Sequence, residues 1–444
     1  MNESCDVARI PIQSFVNPLN DDYSFKKYKL FESELHENKT TLFCGGPISS
    51  MAWLPTPYTK TIENQILAVS VLNSPDEKYV TNDNYEVASA IQFWNFGTLK
   101  SSQASLREPK LAFSIAHNHG PVWHMEWCPS GCYNFSEGKV NRMGLLAATG
   151  SDSIVYIYSV PFFNEEEMWL MSGSIDRGVS LWDLDNHNYP MCTTRKNIVT
   201  DGFWLTNWLC YVTAMDEGST SMHVTAMLKQ ARDYVCDSNV SLTCSPSTIS
   251  SISGSDWLNG VVHGNTVGEI VAIFPHQILQ TPEHQKLFKS KRMLFGYTYL
   301  IEKNKSPAER TEEDEIRKRV LQNLMTKKLS AGVKLSKIKS DIDCSDLFLK
   351  EPLTYQEAEE KYALLFCDNK LKSYDDFVKT TAKQLTAFSK SYAVTHPNQY
   401  PLTTLNKIVF NPNRQASLYY ATGYQAGFVR VSWLEFLKDD HQIK

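Results

Sequence analysis

The sequence predicts an all-β fold: a β-propeller of the seven-blade type with one blade missing or incomplete, and a charged, partly helical insertion before the last blade. Two repeated elements predict it, one that reads as strand–turn–strand and one that reads as an inner strand lying upstream of it. Each repeat is too small to bury both of its faces alone, so the copies must stack around a ring. A break in their spacing near residue 160 indicates the incomplete blade.

The strand–turn–strand element is clearest at Leu170–Leu184, which reads LMSGSIDRGVSLWDL. Val179 and Leu181 alternate with polar residues and therefore share one face of a sheet. The triplet Asp176-Arg177-Gly178 is typical of a tight hairpin turn, where glycine accepts a positive φ. This segment resembles the third and fourth strands of a WD-repeat blade, which carry a Ser-Gly-Ser-x-Asp-x-x-Val-x-Leu-Trp-Asp signature.

The same element recurs, but some of its signature residues are replaced in the other copies. Residues 148–158 repeat it with Asp152 in the aspartate place and Tyr158 in the tryptophan place, and residues 421–432 repeat it without either residue. Residues 89–96 and 268–274 supply further closing strands.

The inner-strand element reads GPISSMAWLP at residues 46–55 and GPVWHMEWCP at 120–129, each with a tryptophan before the exit turn. Residues 404–412 follow the same template, and residues 249–252 match only part of it. Across both elements, six residues are predicted to have a structural role in the repeat: Trp53, Trp94, Trp127, Asp152, Asp176 and Trp182.

The spacing breaks after Val160. Met168 already begins the penultimate strand of another blade, and the stretch between them is too short for two inner strands of about five residues each. Either one blade is missing or the ring closes with six blades.

The domain prediction follows the repeats. Residues 1–41 form a lead-in, 42–281 propeller blades, 282–400 the insertion, 401–437 the final blade and 438–444 a tail. In the insertion, Ser306-Pro307 is typical of a helix start. Thr354 and Glu357 form a capping box for a second helix that runs through Tyr362 and Phe366. The ring is expected to close by the C-terminal strand joining the N-terminal blade.

The composition excludes several classes of protein. The chain has 444 residues, 42% of them hydrophobic, and a formal net charge of -5, so it is not a polycation that coats nucleic acid. Its 10 cysteines show no disulfide framework, which favours a reducing compartment. Neither a secretory signal nor an apolar run of membrane-spanning length is evident. A soluble intracellular protein without a membrane partner is expected.

No catalytic motif is present, and no catalytic residue, metal site, cofactor or small-molecule substrate is predicted. The pair His117 and His119 is interpreted as a blade-entry loop. His124, Cys128 and Cys132 have a spacing that suits zinc but no evident fourth ligand.

A basic run in the insertion is the candidate nucleic-acid contact. It contains Lys327, Lys328, Lys334, Lys337 and Lys339. Lysines of this kind neutralise phosphates without reading sequence. The alternative is a solvated loop balanced by the acidic residues 309–315.

Several segments together resemble one family. They are GGPISSMAWLP, AIQFWNFGTL, SIAHNHGPVWHMEWCPSG, GSIDRGVSLWDL and YATGYQAGFVRV, within residues 42–275 and 401–434. They are similar to the WD-repeat (110-kilodalton, or beta) subunit of the RNA polymerase III transcription factor TFIIIC. The resemblance implies a non-enzymatic nuclear scaffold whose complex recognises the internal promoter box of transfer-RNA and 5S rRNA genes. It also implies partners: the other TFIIIC subunits, including a second WD-repeat subunit, with DNA bound mainly through the complex.

Two departures from the family affect this expectation. The basic N-terminal extension usual for the family is absent, which weighs against autonomous DNA binding. The incomplete blade weighs against an unchanged partner surface. The rival hypotheses are a generic WD-repeat adaptor in a chromatin or ubiquitin-ligase complex and, more remotely, a propeller hydrolase.

Overall fold

The computed structural model describes residues 12–13, 28–128, 143–160, 169–273, 293–303, 354–368 and 402–435, with short gaps inside several of these ranges. The strands run in chain order as β1 (Ile12–Gln13), β2 (Ser33–His36), β3 (Lys39–Phe43), β4 (Ile48–Trp53), β5 (Ile66–Val71), β6 (Ser89–Asn95), β7 (Lys110–His117), β8 (His124–Trp127), β9 (Gly144–Thr149), β10 (Val155–Val160), β11 (Trp169–Gly173), β12 (Gly178–Asp183), β13 (Cys192–Arg195), β14 (Val199–Leu205), β15 (Cys210–Met215), β16 (Ser219–Val224), β17 (Ser238–Cys244), β18 (Ile249–Ser255), β19 (Gly260–Asn265), β20 (Ile270–Ile273), β21 (Met293–Glu302), β22 (Tyr362–Asp368), β23 (Leu405–Phe410), β24 (Tyr419–Tyr424) and β25 (Phe428–Trp433). One helix, α1 (Tyr355–Lys361), and a 3-10 turn at Arg414–Ala416 complete the described elements.

The strands form small sheets that follow one another along the chain. We number them sheet 1 (β4–β7), sheet 2 (β8–β10), sheet 3 (β11–β13), sheet 4 (β14–β17), sheet 5 (β18–β22 with β1 beside β22) and sheet 6 (β23–β25 with β3 and β2 beside β25). Neighbouring strands are antiparallel except for β1, which pairs parallel to β22. Among the described residues, sheets 1, 4, 5 and 6 have four or more strands, whereas sheets 2 and 3 have three.

The first strands of successive sheets pack side by side. Strand β4 contacts β8 on one side and β23 on the other, β23 contacts β18, and β18 contacts β14. This is the radial arrangement of a β-propeller, in which each sheet is a blade and its first strand lines the centre. The predicted β-propeller is confirmed at this level, with the four larger sheets as its complete blades.

The core lies between the blades. The largest buried cluster joins sheets 1, 5 and 6 and includes Trp53, Trp94, Leu405, Tyr424 and Phe428. A second cluster lies between sheets 1 and 2 and includes Phe93 and Trp127. Sheets 4 and 5 share a third cluster. The inter-blade burial that a single repeat cannot achieve alone is therefore supplied by its neighbours.

The ring closes through sheet 6, which combines strands from the N-terminal and C-terminal parts of the chain. Strand β3, which begins in the N-terminal lead-in, pairs antiparallel with β25, the last strand that the structure describes, and β2 adds beyond it. Cys44 N donates to Gly427 O at 2.9 Å and continues this contact. The expected closure by chain ends is found, but the N-terminal strands complete the last blade rather than the C-terminal strand joining the first.

Part of the predicted insertion belongs to the propeller. Strands β21 and β22 lie within residues 282–400, yet they extend sheet 5 beyond β20. The capping box at Thr354 is present: its hydroxyl accepts from Glu357 N, and the Glu357 carboxylate accepts from Thr354 N. The prediction that this helix runs through Tyr362 and Phe366 is wrong. Helix α1 ends at Lys361, and the alternating residues after it pair with β21.

Sheet 2 reflects the break in the repeat. Strand β10 ends at Val160 and the next strand, β11, begins at Trp169, so sheet 2 has no fourth strand among the described residues. Sheet 3 begins with β11, the strand that precedes the hairpin turn; β11 is an edge strand of this sheet and contacts the inner strand β14 of sheet 4. The predicted helix that begins near Ser306 lies outside the described residues.

Candidate functional site: the central channel

The inner strands share a local irregularity that positions their polar side chains. Strands β4, β14, β18 and β23 each show a register shift one residue after they begin, which is a β-bulge against the next strand of the same sheet. The residues that directly follow the bulge are Ser50, Asp201, Ser251 and Lys407. They stand at equivalent places in four blades.

The bulged residues link each blade to the next. Thr200 Oγ1 donates to Ile249 O at 2.6 Å, and Asn406 Nδ2 donates to Ile48 O at 3.0 Å. Between these two links, Ser250 Oγ donates to Leu405 O in a short hydrogen bond. Every acceptor is the residue that begins the neighbouring inner strand, so the hydrogen bonds run from sheet 4 through sheets 5 and 6 to sheet 1. At the equivalent place in sheet 1, Ser49 Oγ is buried without a partner among the described residues.

Asp201 is the centre of the polar cluster. Its Oδ2 accepts from Lys407 Nζ at 2.9 Å, from Ser251 Oγ at 2.8 Å and from Ile252 N at 3.1 Å. The side chains of Asp201 and Lys407 are both at least nine-tenths buried. Ser251 Oγ also accepts from Ile408 N at 3.2 Å. One carboxylate thus connects the inner strands of sheets 4, 5 and 6.

Strand β8 contributes from sheet 2. Met125 and Trp127 face the cluster between sheets 1 and 2, and alternation places His124 and Glu126 on the opposite side. Both ionisable groups feel the charges of Lys407 and Asp201, which come from sheets 6 and 4. His124 Nε2 lies 3.8 Å from Glu126 Oε2. We call the four residues His124, Glu126, Asp201 and Lys407 the channel cluster.

The surroundings shift the protonation of these groups in different directions. Burial raises the pKa of Asp201, but the nearby Lys407 ammonium and its hydrogen bond outweigh it, so the pKa lies below its usual value. The charge of Lys407, and then burial, lower the pKa of His124 to about 4. Loss of solvation raises the pKa of Glu126, but its side chain is 74% exposed and solvent limits the effect. At neutral pH the histidine is therefore neutral.

The two carboxylates of the channel cluster differ in how freely they reach solvent. The Asp201 carboxylate is occupied by three donors, and Glu126 is the member of the cluster that reaches water most freely. Among the described residues, no three His, Cys, Asp or Glu side chains come together as metal ligands. No described helix is long and apolar enough to cross a membrane.

Asp152 lies in the turn between β9 and β10. Its carboxylate accepts from Ile154 N at 3.1 Å and from the Tyr156 hydroxyl in a short hydrogen bond, which chiefly lowers its pKa. The His119 ring stacks on Tyr156 with centroids 3.5 Å apart. Tyr156 is thus an aromatic partner of this aspartate, two residues before Tyr158, which stands in the tryptophan place of the repeat.

The tryptophans of the repeat are buried where they are described. Trp53 and Trp127 end the inner strands β4 and β8, and Trp94 lies in β6. Trp94 Nε1 donates to Gln92 Oε1 at 3.0 Å, and Trp127 Nε1 donates to Ala52 O at 3.2 Å. Trp182 lies in β12 opposite Leu170. Asp176 falls outside the described residues.

The candidate nucleic-acid lysines 327, 328, 334, 337 and 339 also lie outside the described residues, as does Cys132. The structure therefore places the channel cluster and the tryptophans but not the basic run.

Sequence reasoning missed Asp201 and Lys407. The signal was present: the residues Ile-Val-Thr-Asp at 198–201 follow the same order as Thr-Ile-Ser-Ser at 248–251 and Thr-Leu-Asn-Lys at 404–407. The third residue of each has a hydrogen-bonding side chain, and the fourth turns to the channel.

A second buried ionic cluster joins the last two blades. Arg430 on β25 makes two contacts with Asp368 on β22, at 3.3 and 2.9 Å, and Lys39 Nζ lies 2.8 Å from the same carboxylate. Arg430 also stacks over the Phe366 ring at 4.3 Å. Burial alone raises the pKa of Asp368, but the two cations outweigh it and hold the pKa at about 2. This cluster locks the closing sheet to sheet 5.

Comparison with known proteins adds one relationship. No family model matches the chain. The chain is similar to general transcription factor 3C polypeptide 2 of Homo sapiens and of Pongo abelii, with 18% identity over an alignment 528 positions long, gaps included, in both cases. The alignments cover 94% of this chain and 55% of each relative, so the chain spans about half the length of these curated relatives. A distant relationship to a transcription-factor subunit extends along nearly the whole chain.

Proposed function

We propose that this protein is a non-enzymatic scaffold subunit of a TFIIIC-type complex in the nucleus. The observation that carries the proposal is the similarity to general transcription factor 3C polypeptide 2 over 94% of the chain, together with a propeller fold. In this proposal the propeller is of the WD-repeat, seven-blade type with one incomplete blade, and the channel and rim hold other subunits, including a second WD-repeat subunit. The complex then recognises the internal box of transfer-RNA and 5S rRNA genes for RNA polymerase III.

The domain layout is part of the proposal. It comprises the lead-in 1–41, blades 42–281, insertion 282–400, last blade 401–437 and tail 438–444, with β21 and β22 assigned to sheet 5. Rings of this kind act as rigid platforms because each blade is held by its two neighbours.

Affinity purification tests the assignment. The epitope-tagged full chain, expressed in cells of its source, should recover the other TFIIIC subunits and transfer-RNA gene chromatin from nuclei. The double variant Asp201→Asn/Lys407→Met keeps the shapes of the channel side chains but removes their charges, and it should reduce recovery if the channel takes part. Recovery of a ubiquitin ligase or a histone-modifying complex in place of these subunits would favour the adaptor hypothesis instead.

The basic run is proposed as an auxiliary phosphate contact. Charge reversal of Lys327, Lys328, Lys334, Lys337 and Lys339 to Glu should weaken DNA association of the complex. It should also make the plot of log Kobs against log salt concentration less steep, by about 0.9 for each phosphate that is no longer neutralised. Fluorescence anisotropy across a salt series measures this. As a control, reversing the nearby Lys289, Lys291 and Arg292 should change neither quantity as strongly. Identical salt slopes for the wild type and the five-lysine variant would show that the run is ordinary surface.

A further inference from the structure

The edge of sheet 2 is open. Strand β10 is its last strand in the part of the chain that the structure describes, and only residues 161–168 separate it from β11. The complete blades have at least one more strand at this place. A strand at a sheet edge presents backbone donors and acceptors that pair readily with another chain.

One face of β10 carries exposed apolar side chains. Val155 is 58% exposed and Ile157 is 69% exposed, whereas Tyr158 and Val160 pack on the cluster between sheets 1 and 2. Natural edge strands are usually protected by charged residues or proline. Residues 153–160 contain neither.

The backbone N–H and C=O groups of alternate residues in β10 point away from β9. Gly150 N donates to Ile154 O at 3.0 Å, so Ile154 and the alternate residues after it turn their backbone groups to β9. Val155, Ile157 and Ser159 then direct their N–H and C=O groups to the free edge. No hydrogen bond to these outward groups exists among the described residues.

The strand is complementary to itself. The residues Ile154–Val160, IVYIYSV, read nearly the same in both directions around Ile157. In an antiparallel pair of two copies centred there, Ile157 faces Ile157, Tyr156 faces Tyr158, and Val155 faces Ser159. The three central residues, Tyr156, Ile157 and Tyr158, meet residues of their own type, Val155 meets a serine, and the paired segment carries no charge. A two-fold interface requires this self-complementarity.

We propose that two copies of this chain associate through antiparallel pairing of β10 with β10 of the second copy, about a two-fold axis at Ile157. The outward groups of Val155, Ile157 and Ser159 would form about six backbone hydrogen bonds, since each narrow antiparallel pair exchanges two. Because a single strand of each copy takes part, we expect a small interface and weak association. The proposal is independent of the proposed function and goes beyond it.

Sedimentation velocity of the purified full chain, from about 0.5 to 200 μM, tests the proposal over the range of a weak interface. The wild type should shift from monomer to dimer. Ile157→Lys and Ile157→Glu each place like charges opposite each other at the axis and should weaken dimerisation by more than about tenfold. An equimolar mixture of the two variants should recover the dimer, because the introduced lysine of one copy then faces the introduced glutamate of the other.

The controls separate dimerisation from misfolding. Val80→Lys and Val80→Glu change an aliphatic side chain that is 55% exposed and remote in sequence from β10, and both should dimerise like the wild type. Each Ile157 variant should keep the wild-type circular dichroism spectrum and unfolding midpoint. A wild type that stays monomeric at the highest concentration, assembles beyond a dimer, or dimerises equally as Ile157→Lys would overturn the proposal.

Discussion

Asp201 and Lys407 depend on each other for burial. An ionised carboxylate that leaves water needs donors to replace its solvation, and Lys407 Nζ at 2.9 Å, Ser251 Oγ and Ile252 N provide them. Neither residue stands out when its own strand is read alone, because a single aspartate or lysine in a strand reads as ordinary surface; the signal lies in the alignment of the inner-strand segments with one another. Their partnership appears only when three blades meet.

Lys407→Met tests this dependence. The substitution keeps the length of the side chain but leaves Asp201 buried without its counter-charge, so we expect the free energy of unfolding to fall by about 3–5 kcal/mol. Denaturant titration measures it. Adding Asp201→Asn to the same variant should restore much of the loss, and a single variant as stable as the wild type would contradict the coupling.

Asp368 gives the closing sheet a pH dependence. Its pKa in the folded chain, about 2, lies below the ordinary value of 3.8, so the stabilisation is fully present above about pH 5 and is lost as the pH falls towards 2. The wild type should be more stable than Asp368→Asn at pH 6. We expect this advantage in unfolding free energy to be roughly 2 kcal/mol larger at pH 6 than at pH 2.5. Urea denaturation at several pH values measures the difference. A difference that is constant with pH would exclude this origin.

At the scale of the element, the sequence predicted some features and missed others for clear reasons. The tryptophans that end β4 and β8 and the capping box at Thr354 depend on local order and were predicted. The strand that begins at Tyr362 was predicted as helix. Short apolar runs such as Tyr-Ala-Leu-Leu-Phe fit either period, and pairing with β21 decides the outcome.

The capping box has a measurable contribution to stability. Thr354→Ala removes the hydroxyl that accepts from Glu357 N, and we expect a loss of about 1 kcal/mol in the free energy of unfolding. Thr354→Ser keeps the hydroxyl and should lose only a few tenths of that. Equal losses in both variants would mean that the methyl group, and not the cap, is responsible.

For the whole molecule, the sequence established a ring but not its closure. The repeats indicate blades because their spacing is local. The identity of the closing strand depends on two chain segments that lie near opposite ends of the sequence, β3 and β25. The hydrogen bonds of Thr200, Ser250 and Asn406, which pass from blade to blade, were likewise visible only in three dimensions.

Phe43→Ala tests the closure. Phe43 is buried on β3 against Phe428, with ring centroids 5.1 Å apart, and we expect its truncation to lower the unfolding free energy by about 3–5 kcal/mol. Leu35→Ala, on the partly exposed β2, should cost about 1 kcal/mol or less. Thermal unfolding with limited proteolysis of the N-terminal strands measures both. Similar losses for the two variants would show that β3 does not hold the ring.

The pairing of β3 with β25 also sets the order of events during synthesis. The ribosome makes β3 long before β25, so β3 has no β25 to pair with while the intervening blades are synthesised. Local hairpins can form at once, but the long-range contact closes only after β25 has been made. We therefore expect nascent chains that lack β25 to be clients of chaperones, and a release step to precede the mature ring.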